Sequence, residues 1–172
     1  MVKGYENKFG KALNVLKALT ELKETIANYE VVVFACHPIV LDYVKNNAFP
    51  FTVFSKEALS HSEVLELMGK SLLYIGNSVS DGIPNTLLEA VVMGTFPIQS
   101  NPGGATSEVI GIDNGLLIEN PNSVLEIKAL ILKALTGAID LDKAFILNDK
   151  LAKTRLDLEW NRIKINKIYT SL

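Results

Sequence analysis

Apolar residues recur along this chain at two different spacings. Over residues 9–26 they stand three or four positions apart, with lysines and a glutamate between them, which predicts one face of an amphipathic helix. Residues 30–35 then form a β-branched run that is apolar on both faces, as is typical of a strand in a covered parallel sheet. The opening of the chain therefore predicts a helix followed by a buried strand.

The same alternation continues to the end of the chain. Further strands are predicted at residues 51–54, 72–75, 96–99 and 116–118. Further helices are predicted at residues 40–45, 85–93, 106–110, 123–134, 143–153 and 159–169. One more helix is predicted to begin after residue 62, because Ser62 can cap it. This order predicts an α/β domain with a Rossmann-like, doubly wound parallel sheet, whose ligands bind at the carboxyl ends of the strands. Because the pattern opens on a helix, we expect the first strand of the sheet to be missing.

Composition narrows the class of protein. A chain of 172 residues with 48% apolar and 21% charged residues is typical of one globular domain. A net charge of −2 argues against a surface that coats nucleic acid, which needs clustered lysine and arginine. Apolar runs stay far below the roughly 20 residues that span a membrane. The single cysteine, Cys36, and the absence of a signal-peptide pattern favour a cytoplasmic location.

Candidate chemistry is concentrated in residues 78–90, directly after a predicted strand. Gly82 permits a tight turn or the close approach of a ligand, and Pro84 suits the first turn of a helix. The start of that helix would offer a phosphate three free backbone N–H groups and a partial positive charge, at Asn85, Thr86 and Leu87. The segment therefore predicts an anion site.

Two carboxylates flank this helix start. Asp81 in the loop and Glu89 in the helix have seven residues between them, so both can face one cavity. Carboxylates accept hydrogen bonds, and the hydroxyls of ribose and sugars donate them. The alternative interpretation is that Asp81 is an ordinary turn residue and Glu89 a solvated helix residue.

Four sequence blocks occur in an order known from one enzyme family. They are Ser-Asp-Gly-Ile-Pro-Asn-Thr-Leu-Leu-Glu-Ala at 80–90, Met-Gly-Thr-Phe-Pro-Ile at 93–98, Gly-Gly-Ala-Thr-Ser-Glu-Val-Ile at 103–110 and Asn-Gly-Leu-Leu-Ile at 114–118. The chain resembles the family-four, or group one, retaining glycosyltransferases. The resemblance implies the C-terminal half of the two-domain glycosyltransferase type B fold. Residues 1–172 would then be a single nucleotide-sugar-binding domain that lacks its first strand and the N-terminal acceptor domain.

The resemblance also implies roles for individual residues. Glu89 would hold the ribose hydroxyls of the donor, and Asp81 would stand at the catalytic position beside the donor sugar, where the family usually has a glutamate. Lys3 and Gly4 resemble the segment that opens the first helix and whose lysine meets the diphosphate. The implied donor-binding residues are Lys3, Phe54, Ser55, Ser80, Gly82, Ile83, Pro84, Asn85, Thr86, Leu87 and Glu89, with Phe54 and Ser55 beside the nucleobase.

The implied function is retaining transfer of a sugar from a nucleoside diphosphate to a glycan, polysaccharide or lipid-linked acceptor. No cofactor and no metal are expected, since the chain lacks an Asp-x-Asp pair, and Cys36, His37 and His61 lack zinc-like spacing. These three are interpreted as strand-end and cap residues. The acceptor would be held by the missing N-terminal domain, so the isolated chain is expected to be inactive. The sequence leaves open whether the protein contacts a membrane surface.

Two other functions remain open at this level. A sugar-nucleotide epimerase of related architecture would bind the same donor, but it needs acid and base residues that the chain does not clearly supply. A flavodoxin-like interaction module would need only the alternating pattern. Its receiver version places acids at strand ends, where this chain has Ala35, Phe54 and Ile75.

Overall fold

The computed structural model describes residues 1–170, and within them it contains a six-stranded parallel sheet. Its strands are β1 Val2–Lys3, β2 Val32–Cys36, β3 Thr52–Ser55, β4 Leu73–Gly76, β5 Phe96–Ser100 and β6 Leu116–Ile118. They lie side by side in the order β3-β2-β1-β4-β5-β6. The chain thus winds outward in both directions from β1, which confirms the predicted doubly wound α/β class.

Helices alternate with these strands as the periodicity predicts. They are α1 Ala12–Glu21, α2 Pro38–Asn46, α3 His61–Gly69, α4 Asn85–Val92, α5 Val124–Leu135, α6 Leu141–Leu151 and α7 Leu158–Thr170. A 3₁₀ segment spans Pro102–Glu108, and a π-helical turn spans Ala152–Leu156. Within residues 1–170, no helix has the length and apolar character that crossing a membrane requires.

Both faces of the sheet are covered because successive strand residues point to opposite sides. On one face, Val33, Ile75 and Ile98 share a core with helices α1, α2 and α5. On the other face, Phe34 and Tyr74 pack with Met68 of α3 and Ala90 of α4. Strands buried on both sides explain why the predicted strand segments are continuously apolar.

Strand β1 corrects the expectation that the first strand is missing. Val2 pairs with Val33 of β2 on one side and with Ile75 of β4 on the other, and Lys3 pairs with Phe34. The strand therefore lies at the centre of the sheet. Two residues are too short a run to show the alternation by which strands are recognised in a sequence.

Two helical segments begin elsewhere than predicted. Ser60, not Ser62, caps α3: its hydroxyl accepts from the N–H of Glu63, and the Glu63 carboxylate accepts from the N–H of Ser60 at 2.7 Å. This reciprocal pair is a capping box. The Ser60 hydroxyl also donates to the Glu63 carboxylate at 2.6 Å, and this bond, followed by the one from the Ser60 N–H, lowers the pKa of Glu63. The helix predicted at 106–110 is replaced by the 3₁₀ segment, in which Gly103 and Gly104 have φ of 76° and 84°. Such angles interrupt a regular helix.

Helix α2 ends in a Schellman motif that is closed by an alanine. The N–H of Phe49 donates to the carbonyl of Val44 at 3.3 Å, and the N–H of Ala48 donates to Lys45 at 3.2 Å. Ala48 has φ of 50°, in the left-handed region where glycine is the usual residue. Its Cβ therefore adds strain to an otherwise regular helix end.

We predict that Ala48→Gly stabilises the domain. Relief of the left-handed strain outweighs the added freedom of the unfolded chain, so the free energy of unfolding should rise by about 0.5–1 kcal/mol. Urea denaturation measures this change. Ala138→Gly is the matched control, because Ala138 is exposed and has no positive φ, and it should lower the free energy instead. Equal effects of the two substitutions would contradict the prediction.

Candidate functional site

A crevice opens at the carboxyl ends of β1 and β4, where the winding of the sheet reverses. Ligands of doubly wound sheets bind at this position, because the loops leaving the two strands diverge there. The crevice is lined by Lys3, Tyr5, Gly76, Asn77, Ser78, Asp81, Pro84 and Gln99. It therefore brings together three of the predicted site residues from distant parts of the chain, namely Lys3, Asp81 and Pro84.

Two loops that contribute residues to the crevice are hydrogen-bonded to each other. The N–H of Lys11 donates to the carbonyl of Asn77 at 3.0 Å, and the N–H of Val79 donates to Phe9 at 2.8 Å. The amide Nδ2 of Asn77 donates to the carbonyls of Lys11 and Pro121 at 3.1 and 2.9 Å. The loop after β1 and the loop after β4 are thus held as one unit.

A buried tyrosine connects the sheet to α4 beneath the crevice. The hydroxyl of Tyr74 donates to Thr86 Oγ1 at 2.9 Å and lies 3.4 Å from Gln99 Oε1. Lys3 Nζ also donates to Thr86 Oγ1, at 3.2 Å. A Cβ at Gly76 would lie 2.6 Å from the Tyr74 hydroxyl, so only glycine leaves room for these bonds. The network fixes Thr86, one of the predicted site residues.

The two predicted acids both act electrostatically on this tyrosine. Burial raises the pKa of Tyr74 well above its ordinary value, and the hydrogen bond to Thr86 opposes that shift. The negative charges of Glu89 and Asp81 raise the pKa further. Glu89 and Asp81 therefore both contribute to the raised pKa of this buried hydroxyl.

The N-terminus of α4 offers fewer free donors than expected. Pro84 is the N-cap rather than a first-turn residue, and its carbonyl accepts the N–H groups of Leu87 and Leu88 at 3.0 and 3.3 Å. Within residues 1–170, no acceptor bonds the N–H groups of Asn85 and Thr86. Two donors, not three, are thus available to a phosphate at this helix start.

The side chain of Leu87 is not placed to contact the nucleotide-sugar donor, contrary to the expectation for a donor-binding residue. It is fully buried in a small core with Val91 and Ile110, and half-buried Ile83 packs against the same cluster. Leu87 and Ile83 therefore anchor α4 and its loop. Their apolar side chains carry no polar group that could bind a phosphate or a hydroxyl.

Ser80, Asp81 and Gly82 form the exposed tip of the loop before α4. Gly82 does not have a left-handed backbone, and a Cβ built on it would meet no atom within 4 Å. The turn itself therefore does not require glycine at this position. Open space above Gly82 agrees with the other predicted reason for it, which is the close approach of a ligand.

Glu89 has a partner that the sequence analysis missed. His61 Nε2 lies 2.9 Å from Glu89 Oε1, across the contact between α3 and α4. The side chain of Glu89 is 26% exposed and that of His61 is 70% exposed. The sequence indicates only that His61 is a strand-end or cap residue. Only the packing of the two helices brings it to Glu89, and no spacing in the sequence indicates that contact.

The remaining predicted residues lie at the same edge of the sheet. Lys3 is in β1 rather than at the opening of the first helix, which corrects its expected setting, although its ammonium still reaches the crevice. The loop between β1 and α1 carries two other lysines, Lys8 and Lys11. Phe54 and Ser55 end β3, which β2 separates from β1. They lie beyond the crevice, on the side from which α3 begins.

A larger cavity exists at the opposite end of the sheet. It has a volume of about 340 Å³ and is mostly apolar, with Leu19, Ile26, Leu73 and Ile131 in its lining. No predicted site residue lines it, so we place the functional site at the smaller crevice, where charged groups converge. Residues 1–170 contain no group of three or more His, Cys, Asp or Glu that could hold a metal.

Comparison with protein families decides the class. The family model of the glycosyl transferases group 1 matches residues 11–151, which is most of the chain. The chain belongs to this family. The match begins after Lys3 and includes Asp81, Glu89 and His61. Membership favours a transferase over both the epimerase and the interaction module.

Solved structures show the same fold at low sequence identity. WaaG, a glycosyltransferase involved in lipopolysaccharide biosynthesis, is 20% identical with a TM-score of 0.70, and the match covers 90% of this chain and 42% of WaaG. The C-terminal domain of LpcC, a group 1 glycosyl transferase from Francisella tularensis, is 19% identical with a TM-score of 0.69; coverage is 91% of this chain and 85% of that domain. Comparison with curated proteins found no match.

A third structure contains ligands of the predicted chemistry. The pneumococcal O-GlcNAc transferase GtfA, in complex with UDP and GlcNAc, is 17% identical with a TM-score of 0.69, and the match covers 84% of this chain and 30% of GtfA. The group 1 domain thus spans less than half the length of WaaG and of GtfA. Its fold is that of the C-terminal half of the glycosyltransferase type B architecture, as the resemblance implies.

We predict that Tyr74→Phe destabilises the domain by about 0.5–1.5 kcal/mol, because the buried hydroxyl that donates to Thr86 Oγ1 is lost. The midpoint of urea denaturation measures the change. Tyr43→Phe is the matched control, since the Tyr43 hydroxyl makes no hydrogen bond to any residue of 1–170 and should leave the midpoint unchanged. An unchanged midpoint in Tyr74→Phe would show that the network does not support the fold.

Proposed function

We propose that this domain binds a nucleoside-diphosphate sugar at the crevice and along α4, and that it provides the donor half of a retaining glycosyltransferase. One observation carries the proposal. A lysine ammonium, a helix start with two free N–H groups and the carboxylate of Asp81 converge at the point where the winding of the sheet reverses, and Glu89 follows Thr86 by three residues on the same helix. These groups match, in order, a diphosphate and the hydroxyls on either side of it.

The diphosphate lies between Lys3 and the start of α4. Lys3 Nζ is 3.2 Å from Thr86 Oγ1, so its positive charge stands beside the N–H groups of Asn85 and Thr86. A phosphate would accept hydrogen bonds from both N–H groups and be neutralised by the ammonium. The same groups would stabilise the charge that develops on the diphosphate when the glycosyl bond breaks.

The nucleoside extends from the diphosphate toward α3. Thr86 and Glu89 are three residues apart and therefore lie on the same face of α4. The ribose hydroxyls would donate to the half-buried carboxylate of Glu89. The base then points toward the carboxyl end of β3, where Phe54 and Ser55 lie. This path places the nucleotide along one wall of the site.

The transferred sugar lies on the other side of the diphosphate, at Asp81. This carboxylate is exposed and lines the crevice, so it can accept hydrogen bonds from sugar hydroxyls. It is one methylene shorter than the glutamate that the family usually has at this position, and its reach is correspondingly shorter. GtfA, a protein of the same fold, contains a nucleoside diphosphate and a sugar together, namely UDP and GlcNAc.

The acceptor is a glycan, a polysaccharide or a lipid-linked sugar. WaaG, of the same fold, takes part in lipopolysaccharide biosynthesis, and the present chain covers less than half of it. We infer that an N-terminal acceptor domain supplies the second wall of the reaction cleft, and that the enzyme acts in the cytoplasm. Transfer without cofactor or metal, and peripheral membrane contact, stay predictions.

We predict that Glu89→Gln weakens nucleoside-diphosphate binding by at least about tenfold, since a hydrogen bond to a charged group contributes about 1.5–3 kcal/mol. Isothermal titration calorimetry with UDP, GDP and ADP measures the affinity. The control is Glu24→Gln, which removes the charge of a glutamate whose side chain is 90% exposed and which lies beyond the end of α1. Equal affinities of the two variants would remove Glu89 from the site.

We predict that the chain alone transfers no sugar, because one wall of a cleft can bind the donor but cannot exclude water or orient the acceptor. Donor hydrolysis and transfer to added glycans should both be measured with the purified chain, with Asp81→Ala as the control. Turnover by the chain that disappears in Asp81→Ala would contradict this prediction and identify a complete catalyst.

A further inference from the structure

We propose that His61 is a positioning residue for Glu89, which it holds in the orientation that accepts the ribose hydroxyls of the nucleotide. This inference rests on the proposed function of Glu89. Its geometric basis is the contact between His61 Nε2 and Glu89 Oε1 at 2.9 Å. Within residues 1–170, His61 is the one side chain that hydrogen-bonds the Glu89 carboxylate.

Both residues stand on backbone that is fixed by other interactions. His61 is the first residue of α3, and it lies inside the capping box that Ser60 and Glu63 form. Glu89 precedes Ala90, which is fully buried in the same core as Met68 of α3. The two helices therefore cannot slide apart without opening this core. The contact between the two side chains depends on their rotamers and not on mobile loops.

Positioning matters because a glutamate side chain is flexible. A free carboxylate must give up rotamer freedom when it binds a ligand, and this loss lowers the affinity. A bond to Oε1 removes much of that freedom in advance and leaves Oε2 available to the ribose. The Nε2 atom of His61 has to carry a hydrogen for this bond, in the neutral or the protonated ring.

The contact between His61 and Glu89 lies near the surface of the domain. The pair itself is open to solvent at His61 and adds little to the stability of the fold.

Three substitutions at His61 separate positioning from a structural role. In His61→Gln the side-chain amide can place a donor where Nε2 stood, in His61→Asn the amide falls short of it, and His61→Ala has none. We expect His61→Ala and His61→Asn to bind UDP, GDP or ADP about three- to tenfold more weakly, and His61→Gln to bind nearly as the native chain does. Urea denaturation should give the same midpoint for all four proteins.

The decisive readout is the nucleotide without ribose hydroxyls. With the 2′,3′-dideoxy form of the tightest-binding diphosphate, the native chain and His61→Ala should bind equally, because Glu89 then has nothing to accept. Two results would overturn the positioning role alone. One is that His61→Ala binds the ordinary and the dideoxy nucleotide more weakly to the same degree. The other is that His61→Ala binds the ordinary nucleotide as the native chain does, while Glu89→Gln binds it weakly. Failure of the native chain to bind any of the three diphosphates would overturn the proposed function as well.

Discussion

The arrangement of the site depends on one buried hydroxyl. Tyr74 extends from β4 into an apolar layer, where its O–H donates to Thr86 on α4 and lies 3.4 Å from Gln99 Oε1 on β5. Without these partners, a buried hydroxyl would be strongly unfavourable, so the start of α4 is held to the sheet at this point. Lys3 from β1 joins the same threonine, and its charge is thereby placed beside the helix start. The ammonium of Lys3 and the start of α4 are therefore held together by the same buried hydrogen bonds that join α4 to the sheet.

The rest of the proposed donor path depends on where α4 is fixed. The helix start carries the N–H donors, the loop before it carries Asp81, and the next turn carries Glu89 beside α3. These positions follow the expected order of a nucleotide sugar, with the sugar at one end, the diphosphate in the middle and the nucleoside at the other. The larger cavity at the amino ends of the strands is mostly apolar and is lined by none of the predicted site residues.

The sequence predicted those parts of the molecule whose patterns are local. Buried runs predicted strands β2 to β6, and the glycine and proline before residue 85 predicted the start of α4. Contacts between distant segments left no such pattern. The two residues of β1 were too few to show the alternation of a strand. The carbonyl of Pro84 accepts the N–H of Leu87, which is therefore not a free donor. His61 contacts Glu89 only because α3 packs on α4.

The most direct measurement is a map of amide chemical shifts in the ¹⁵N-labelled chain during titration with UDP, GDP and ADP. The proposed site predicts that shifts concentrate at Lys3, at Gly76 and Asn77, and over residues 81–89 and 61–63. Shifts confined to the apolar cavity around Leu19, Leu73 and Ile131, with residues 81–89 unmoved, would contradict the placement of the donor at the crevice.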